Sequence, residues 1–337
     1  MSYYDDASLV LIPSGVKASK VYSQKPTNGS GDLTFSRAST ATRTNASGVI
    51  ESVASNVPRL DYRNADGSLN SCPRLLLEPQ RTNLVFPSAV ATTQTRTVTA
   101  TAHTLTFYGT GSVTLSGVAT GTLTGTGANN RVTLTFTPTA GSLILTVTGT
   151  VTNWQLEAGS FSSSLIVTTT ASVTRLVDIA EKFGIGSLIG SPAGTIFLQL
   201  QILSLGYSRS FICLQDTGFQ TNSIRIECTA ANRFRIQIRN ASVTILDQTI
   251  TTGSAFTTGN YKAAFAYNTG TNQVAFYVNG VSLFTGTAAS IPTACVNLFL
   301  GTRLATIYDL NVSDAFDQAA LFPTRLTNAQ LAAITTL

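Results

Sequence analysis

The chain has 337 residues, of which 43% are apolar and only 11% are charged, and its formal net charge is +5. This balance excludes an intrinsically disordered chain, and no apolar run approaches the roughly 18 residues of a membrane-spanning helix. Thr is the main polar residue and Gly is frequent, which is typical of strands and turns. We therefore expect an all-β protein, with about two or three domains at this length.

Charge and cysteine spacing exclude several classes of protein. Basic residues are spread along the chain without a run of like charges, so neither nucleic-acid nor membrane binding is indicated. The start, Met1-Ser-Tyr-Tyr-Asp-Asp6, lacks the basic and apolar regions of a secretory signal, which favours synthesis in a cytoplasm. Cysteines at positions 72, 213, 228 and 295 form no C-x-x-C pair, which argues against a zinc site. A bridge between Cys213 and Cys228 is conceivable, but buried free thiols are favoured.

Residues 1–88 form the first of three zones in the sequence. They hold most of the prolines, much of the arginine and loop-like stretches such as Pro26-Thr-Asn-Gly-Ser-Gly31 and Asn64-Ala-Asp-Gly67. Because the apolar runs between these loops are short, we expect an irregular segment that wraps against the rest of the chain.

Residues 89–180 form a second, almost uncharged zone in which Thr alternates with apolar residues. Gly or Pro separates the alternating stretches at short intervals, and such spacing is typical of an antiparallel sandwich. The predicted strands are Thr104 to Phe107, Val113 to Leu115, Arg131 to Phe136 and Leu143 to Val147.

Residues 181–337 carry the clearest strand signals. In the stretch from Thr195 to Ile202, every second residue is Ile or Leu, which predicts a strand with one buried face. Tyr261 to Tyr267 and Gln273 to Val278 are predicted to form a hairpin, followed by a tight turn at Asn279-Gly280.

A single helix is predicted at the end of the chain. Thr327 and Gln330 have the spacing of a capping box and precede apolar residues at helical spacing.

Several phrases in the first two zones resemble known virion proteins. Asp32-Leu-Thr-Phe-Ser-Arg-Ala-Ser-Thr-Ala-Thr-Arg43, Pro58-Arg-Leu-Asp-Tyr62 and Leu75-Leu-Leu-Glu-Pro-Gln-Arg-Thr-Asn-Leu84 resemble a module of bacteriophage head-fibre, spike and tail-associated proteins. Trp154-Gln-Leu-Glu-Ala-Gly159, with Val173-Thr-Arg175 further on, resembles the end of a carbohydrate-binding-like sandwich in the same proteins.

The third zone is similar to a concanavalin A-like, laminin-G-type jelly roll. The resemblance lies in the hairpin Phe276-Tyr-Val-Asn-Gly280 and the closing helix Leu326-Thr-Asn-Ala-Gln-Leu331. Together the resemblances imply an irregular N-terminal attachment segment (1–88), a small antiparallel β-sandwich (89–180) and a larger jelly roll with one short helix (181–337).

These resemblances imply a structural protein at the virion surface, assembled in the host cytoplasm. It would be a head fibre, spike or tail fibre subunit that attaches to capsid or tail proteins through its first zone and adheres to a bacterial surface glycan. The uncharged middle zone suits burial against copies of itself, so we expect a homo-oligomer, with a trimer favoured over a dimer.

Internal roles compete with ligand binding in the first two zones. Trp154 and Leu156 can fill one face of a strand, so that phrase is interpreted as structural rather than as a sugar platform. Arginines near the virion-like phrases are expected to pair with nearby acids rather than with a ligand. The arginines are Arg37, Arg43, Arg59 and Arg81, and the acids are Asp61 and Glu78.

Catalytic signals are weak, and we expect neither an enzyme nor a cofactor. The one histidine, His103, lies within a Thr-rich strand, where a catalytic role is disfavoured. The acidic pairs Asp5 with Asp6, Asp216 with Glu227, and Asp314 with Asp317 (the last in a late loop) show no local feature that tunes a proton donor. The alternatives are a polysaccharide depolymerase, which needs two carboxylates about 5–10 Å apart in a deep cleft, and a secreted bacterial lectin, against which the missing signal counts.

The best candidate for a ligand-binding surface lies on two neighbouring strands of the third zone. We call it the arginine ladder, and it consists of Arg225, Arg233, Arg235 and Arg239. Alternation places these side chains opposite a row of isoleucines, so the ladder is either a solvated sheet face, which is favoured, or a site for an acidic glycan or acidic subunit. Tyr207 and Tyr261 are candidates for sugar stacking.

Overall fold

The computed structural model describes residues 3–191, 193–218, 221–302 and 313–337. Nearly all of their regular structure is strand, which confirms the all-β prediction. The described helices are α1 (Tyr3–Asp6) and α2 (Asn328–Thr335), and neither has the length and apolar character needed to span a bilayer.

The first zone contributes short strands that lie against the rest of the protein. They begin and end at turns rich in Gly, Asn and Pro, as expected for such a sequence. The strands are β1 (Leu9–Leu11), β2 (Val16–Lys17), β3 (Lys20–Val21), β4 (Leu33–Ser36), β5 (Ala41–Thr44), β6 (Ile50–Val53), β7 (Arg59–Arg63), β8 (Leu69–Leu77) and β9 (Arg81–Asn83).

The second zone is a small antiparallel sandwich, and this prediction is confirmed. One sheet has the order β10-β15-β12-β13 and the other β14-β11-β16. The alternating Leu, Val and Phe side chains, together with Trp154, fill the space between them. The strands are β10 (Gln94–Val98), β11 (His103–Gly109), β12 (Ser112–Gly117), β13 (Gly121–Thr124), β14 (Gly127–Phe136), β15 (Gly141–Thr148) and β16 (Val151–Ala158).

The rest of the chain supplies most of the jelly roll. Its predicted hairpin is formed by β24 and β25, and Asn279 and Gly280 have the positive φ angles, 48° and 80°, of the predicted turn. The strands are β17 (Val173–Arg175), β18 (Ile179–Lys182), β19 (Ala193–Ile202), β20 (Arg209–Gln215), β21 (Ser223–Cys228), β22 (Phe234–Asn240), β23 (Val243–Thr249), β24 (Gly259–Asn268), β25 (Gln273–Val278), β26 (Val281–Thr287), β27 (Asn297–Leu300) and β28 (Asp314–Phe322).

Two large antiparallel sheets enclose the main core of the jelly roll. One runs β26-β25-β24-β19-β28-β8-β7, with β1 also paired to β28, and the other runs β2-β3-β4-β18-β27-β20-β21-β22-β23. Strands of the first zone thus extend both sheets. Because the chain crosses between the sheets in this way, the 1–88 segment shares the hydrophobic core of the third zone.

Strand β19 differs from its prediction of a single buried face. Its Ile and Leu side chains lie between the two sheets as expected. The opposite face is buried as well, because Phe197 packs in a second cluster with Leu326 and Leu331 at the C-terminus and with Val10 near the N-terminus. Residues near both ends of the chain therefore cover the outer face of β19, which the alternation of apolar and polar residues alone assigns to solvent.

Two other local predictions are confirmed. Helix α2 begins with the full capping box, in which the Thr327 hydroxyl accepts from the Gln330 N–H and the Gln330 side chain accepts from the Thr327 N–H. Cys213 and Cys228 are both buried, and no disulfide joins them to each other.

Candidate functional site

The arginine ladder has the predicted orientation but not the predicted open surface. The isoleucines of β21 and β22 face the core, and the arginines project to the other side. Arg225, however, is only 2% exposed and donates to Glu227 Oε1 at 3.1 Å and to the side chain of Gln237. A buried, bonded guanidinium presents little surface to a ligand.

The other ladder arginines also have partners within the chain. Arg235 donates through Nε to Asp247 Oδ1 at 2.6 Å and lies 3.7 Å from Glu227. Arg239 donates to the carbonyl of Ser242 at 2.8 Å, and Arg233 donates to that of Gly253. Ligand binding by the ladder stays a prediction, and these bonds would have to be exchanged for it to occur.

The two candidate stacking tyrosines lie against other aromatic rings. Tyr207 packs edge-on to Phe161 with centroids 4.8 Å apart, and its hydroxyl accepts from the N–H of Ser160 at 2.9 Å. Tyr261 packs on Phe234 at 5.6 Å. The prediction that these rings bind sugar is untested.

A cleft of about 620 Å³ lies where the three zones meet, and it is the candidate functional site. We call it the junction cleft. Strands β5, β7 and β8 with the turn 64–68 form one side, β11 and β14 of the sandwich form another, and the loop 162–165 closes it. Ile50, Glu78, Leu203, Ser313 and Ala315 complete its lining. Its volume is within the range of small-molecule sites, and its lining is mainly polar.

Asp61 is the buried acid of the junction cleft. Its Oδ2 accepts from the N–H of Thr44 at 2.7 Å, and its Oδ1 accepts from the N–H of Arg63 at 2.7 Å. Burial raises the pKa of Asp61, although these two backbone hydrogen bonds and the charge of Arg59 act in the opposite direction. Each carboxylate oxygen keeps a free lone pair for a further donor.

Three cationic side chains also line the cleft. Arg43 pairs with Glu51, and Arg131 donates to the carbonyl of Ser163 at 2.7 Å and to the hydroxyl of Thr106 at 2.8 Å. The third, Arg63, has its guanidinium carbon 5.6 Å from the centre of the Tyr108 ring. The exposed amides of Asn129 and Asn130 add neutral donors and acceptors.

A buried ion-pair network lies beside the cleft, and we define it by five residues: Arg37, Arg59, Glu78, Arg175 and Asp178. Glu78 Oε2 lies 2.6 Å from Arg59 Nη1 and 2.7 Å from Arg175 Nη1. Asp178 lies 3.0 Å from Arg37 Nη1 and also pairs with Arg59. The side chains are at most 3% exposed, so the network joins strand ends from distant parts of the chain without reaching solvent.

Glu78 connects the network to the loop at the cleft. Its carboxylate accepts from the N–H of Ser164 at 2.8 Å and from the Ser164 hydroxyl at 2.6 Å. Burial acts to raise the pKa of Glu78, but the charges of Arg175 and Arg59 outweigh it and hold this pKa well below its usual range. Glu78 is therefore ionised and fully bonded.

The sequence prediction of internal arginine–acid pairs is confirmed for Arg59 and Glu78. Other partners differ from those expected, because Arg37 pairs with Asp178, Arg43 with Glu51 and Arg81 with Glu157. Asp61 accepts backbone N–H groups and forms no ion pair with the described residues. The sequence indicated pairing but could not assign partners from other zones.

The motif Trp154-Gln-Leu-Glu157 has the structural role that its sequence predicts. Trp154 is fully buried and donates from Nε1 to the carbonyl of Pro87 at 2.7 Å. Gln155 and Glu157 lie on the other face of β16, where Glu157 accepts from the N–H and the hydroxyl of Ser163, both at 2.7 Å. The phrase therefore anchors the loop that closes the junction cleft.

The catalytic candidates considered in the sequence are engaged elsewhere. His103 is buried, with Nδ1 2.8 Å from the Thr101 carbonyl. Asp314 and Asp317 lie in β28 rather than in a loop, and they pair with Arg209 and Arg74, respectively. Among the described residues, no group of three or more His, Cys, Asp or Glu side chains is placed to hold a metal ion.

No local pattern in the sequence indicates the junction cleft. The stretch from Asn64 to Gly67 predicts only a loop, and the sequence indicates Asp61 only as a partner for arginine. The site depends on contacts between β7, the sandwich and the loop 162–165, and these contacts are not visible in local patterns.

No protein-family model matches the chain, and no curated protein does either. Among solved structures, part of the chain is similar to NanB sialidase of Streptococcus pneumoniae, with 13% identity and a TM-score of 0.39 over 45% of this chain and 25% of that one. The CBM40 domain of the Ruminococcus gnavus IT-sialidase matches at 16% identity and a TM-score of 0.38, over 45% of this chain and 91% of that one. The leech intramolecular trans-sialidase matches at 17% identity and a TM-score of 0.39, over 44% of this chain and 24% of that one. This chain thus matches about a quarter of the length of either sialidase.

Proposed function

We propose that the protein is a non-catalytic carbohydrate-binding subunit of a bacteriophage virion and that the junction cleft holds the saccharide. The observation that carries the binding proposal is the cleft itself, a polar space of about 620 Å³ walled by all three zones. Polar side chains that converge on one space are what fixes the orientation of a small ligand.

The groups in the cleft match the hydrogen-bonding pattern of a sugar. Asp61 offers two acceptor oxygens that are already oriented by the N–H groups of Thr44 and Arg63. Asn129 and Asn130 offer amides, which can donate to and accept from hydroxyl groups. Tyr108 contributes an aromatic ring to the same lining. An apolar ligand would leave these groups without partners, at a cost in affinity.

The walls of the cleft are fixed before a ligand arrives. Glu78 joins β8 to the loop at Ser164, and Arg59 joins β7 to the same carboxylate. Arg131 ties β14 to that loop through the Ser163 carbonyl. Because these bonds hold the loop 162–165 to β7, β8 and β14, this part of the cleft loses little conformational entropy on binding.

The virion context rests on the sequence resemblance. The phrases that resemble virion proteins contain Arg37, Arg59 and Glu78, which hold the zones together. A homo-oligomer, with a trimer favoured, would present several clefts to one cell surface, and the gain in avidity would compensate for weak single sites. The first zone would attach to capsid or tail proteins.

A polysaccharide depolymerase is the second candidate, and one observation favours it. Asp61 and Glu78 line the same cleft, and their pKa values are shifted in opposite directions, as expected of an acid and its ionised counterpart. Glu78, however, is occupied by two guanidiniums and by Ser164. A carboxylate held in this way is not free to attack a sugar or to activate water, so we favour binding.

Binding at the cleft is tested with Asp61→Asn on an array of bacterial surface polysaccharides. The variant should bind its polysaccharide at least about tenfold more weakly, because a charged hydrogen-bond acceptor is lost. Asp5→Asn, a matched change in the exposed helix α1, should bind as the wild type does. Equal binding by the wild type and Asp61→Asn would exclude the cleft as the site.

Catalysis and location need separate measurements. Size-exclusion chromatography of the bound polysaccharide after incubation with the protein should show no change in chain length, whereas shortening would establish the depolymerase. Immunogold imaging of purified virions should place the protein on the particle, and its absence would overturn the virion context.

A further inference from the structure

Arg63 is unusual among the described arginines. In residues 3–191, 193–218, 221–302 and 313–337, it alone has a guanidinium that forms no hydrogen bond or ion pair with another described residue. Every other described arginine donates to a carboxylate, an amide oxygen, a hydroxyl or a backbone carbonyl. This free guanidinium also lines the junction cleft.

The position of the Arg63 side chain is nevertheless restricted. On one side its guanidinium carbon lies 5.6 Å from the centre of the Tyr108 ring. On another side it approaches Gly67, where a Cβ atom would lie 3.3 Å from Arg63 Nη2. These two neighbours restrict the positions that the guanidinium can take, which reduces the conformational entropy that it loses when it binds a ligand.

Among the described residues, the acids that line the cleft form no ion pair with Arg63, and each accepts hydrogen bonds from other groups. Asp61 accepts the backbone N–H groups of Thr44 and Arg63. Asp66 Oδ1 accepts from the N–H of Ser68 at 2.9 Å and from its hydroxyl at 2.6 Å. Glu78 forms ion pairs with Arg59 and Arg175. Among the described residues of the cleft, Arg63 therefore has the guanidinium that is available to an external anion.

Taking the junction cleft to be the saccharide site proposed above, we infer that its saccharide is acidic and that a singly charged oxyanion of the sugar pairs with Arg63. The planar fork of a guanidinium matches two oxygens of a carboxylate or of a phosphodiester. A carboxylate and a phosphodiester each carry one negative charge, which a single guanidinium balances. The sugar hydroxyls then lie within reach of the Asp61 carboxylate and the asparagine amides.

The test is an array that contains carboxylated polysaccharides, their carboxyl-reduced forms, phosphodiester-linked polymers and neutral polysaccharides. Wild type, Arg63→Gln, Arg63→Lys and Arg325→Gln are compared on it at the same protein concentrations. Arg325 is a matched control, because it lies outside the cleft lining and donates to Leu326 and Asn328 near the C-terminal helix. Thermal unfolding of each variant confirms that it is folded.

Binding of the wild type to carboxylated or phosphodiester-linked polymers is expected, and the arm that binds identifies the source of the oxyanion. Carboxyl reduction of a carboxylated ligand should weaken binding at least about tenfold, and Arg63→Gln should weaken it by a similar factor. Arg63→Lys keeps the positive charge but not the planar guanidinium, so its binding should be weakened less. Arg325→Gln should bind as the wild type does.

Two results would overturn the inference, and they differ in what they leave standing. If the wild type binds neutral polysaccharides and Arg63→Gln binds them equally well, the ligand is not acidic, but carbohydrate binding survives. If no polysaccharide binds at all, the proposed function fails together with the inference.

Discussion

The arginines of the buried ion-pair network and the partly exposed ladder arginines, Arg233, Arg235 and Arg239, look alike in sequence but differ in their surroundings. Both sets alternate with apolar residues along strands or lie at strand ends. In the network, Arg59 and Arg175 share the fully buried carboxylate of Glu78. In the ladder, Arg235 pairs with Asp247, whose side chain is 40% exposed. The alternation of a strand indicates which side a residue faces but not what covers that side.

This difference distinguishes arginines whose charge is needed to hold the fold together from arginines whose charge can be used by a ligand. A network arginine cannot be released without leaving an uncompensated charge in the interior, whereas a half-exposed ladder arginine can exchange its partner for water at small cost. Arg63 in the junction cleft belongs to neither set, because it lies against Tyr108 and Gly67 and forms no ion pair with another described residue. The predictions below test this separation, beginning with the largest effect.

The first prediction concerns Glu78→Gln, which should destabilise the fold strongly. Gln keeps the shape of the side chain but leaves the buried guanidiniums of Arg59 and Arg175 without their shared counter-charge. Removing one partner of a buried ion pair lowers the free energy of unfolding by about 3–5 kcal/mol. The free energy of unfolding is measured by urea titration with circular dichroism.

Glu51→Gln is the matched control for that measurement. Glu51 pairs with Arg43 at the surface, with both side chains about one third exposed. Surface pairs contribute about 0–1 kcal/mol, so this variant should remain close to the wild type. Equal losses in the two variants would mean that burial does not distinguish the network from a surface pair.

A second prediction follows from the pKa of Glu78. Because this pKa is held below its usual value of 4.5 in the folded protein, the unfolded state binds a proton first as the pH falls. The contribution of Glu78 to stability is therefore complete above about pH 5 and is lost as the pH falls below the ordinary Glu value. Wild type should lose stability in this range more steeply than Glu78→Gln, as measured by urea titrations between about pH 7 and pH 3.

Asp61 acts in the opposite direction in the same pH range. Burial raises its folded pKa, so protonation favours the folded state as the pH falls. Asp61 is present in both wild type and Glu78→Gln, and for that reason the difference between the two proteins isolates Glu78. Parallel curves would show that the network does not hold the Glu78 carboxylate in its ionised form.

The sequence predicted those features that depend on neighbouring residues. The hairpin at Asn279, the capping box at Thr327 and the strands of the sandwich follow from local spacing, and the structure has all of them. The pair of Arg59 and Glu78 was also predictable, because both residues lie in one short segment, with Arg59 on β7 and Glu78 directly after its partner strand β8. Where a partner is nearby in sequence, charge pattern and alternation are sufficient.

The partners and surfaces that the sequence missed are all non-local. Arg37 meets Asp178 across 141 positions of the chain, and the buried outer face of β19 is covered by the two chain ends. The junction cleft needs three zones in contact, and the availability of Arg63 depends on which acids are already bonded. None of these features has a local pattern, since each arises only when the sheets have assembled.

The smallest expected effect is that of Arg233→Ala together with Arg235→Ala in the ladder. If the ladder were the site for an acidic glycan, this change would lower binding to acidic polysaccharide. The cleft proposal predicts unchanged affinity instead, because Arg235 is occupied by Asp247 and Arg233 by the carbonyl of Gly253, and neither lines the cleft. Removing a half-exposed pair should cost no more than about 1 kcal/mol of stability. Binding is measured by titration calorimetry with the polysaccharide identified on the array. A loss of affinity in this variant, with Arg63→Gln unaffected, would move the site from the cleft to the ladder and reverse the distinction between the two surfaces.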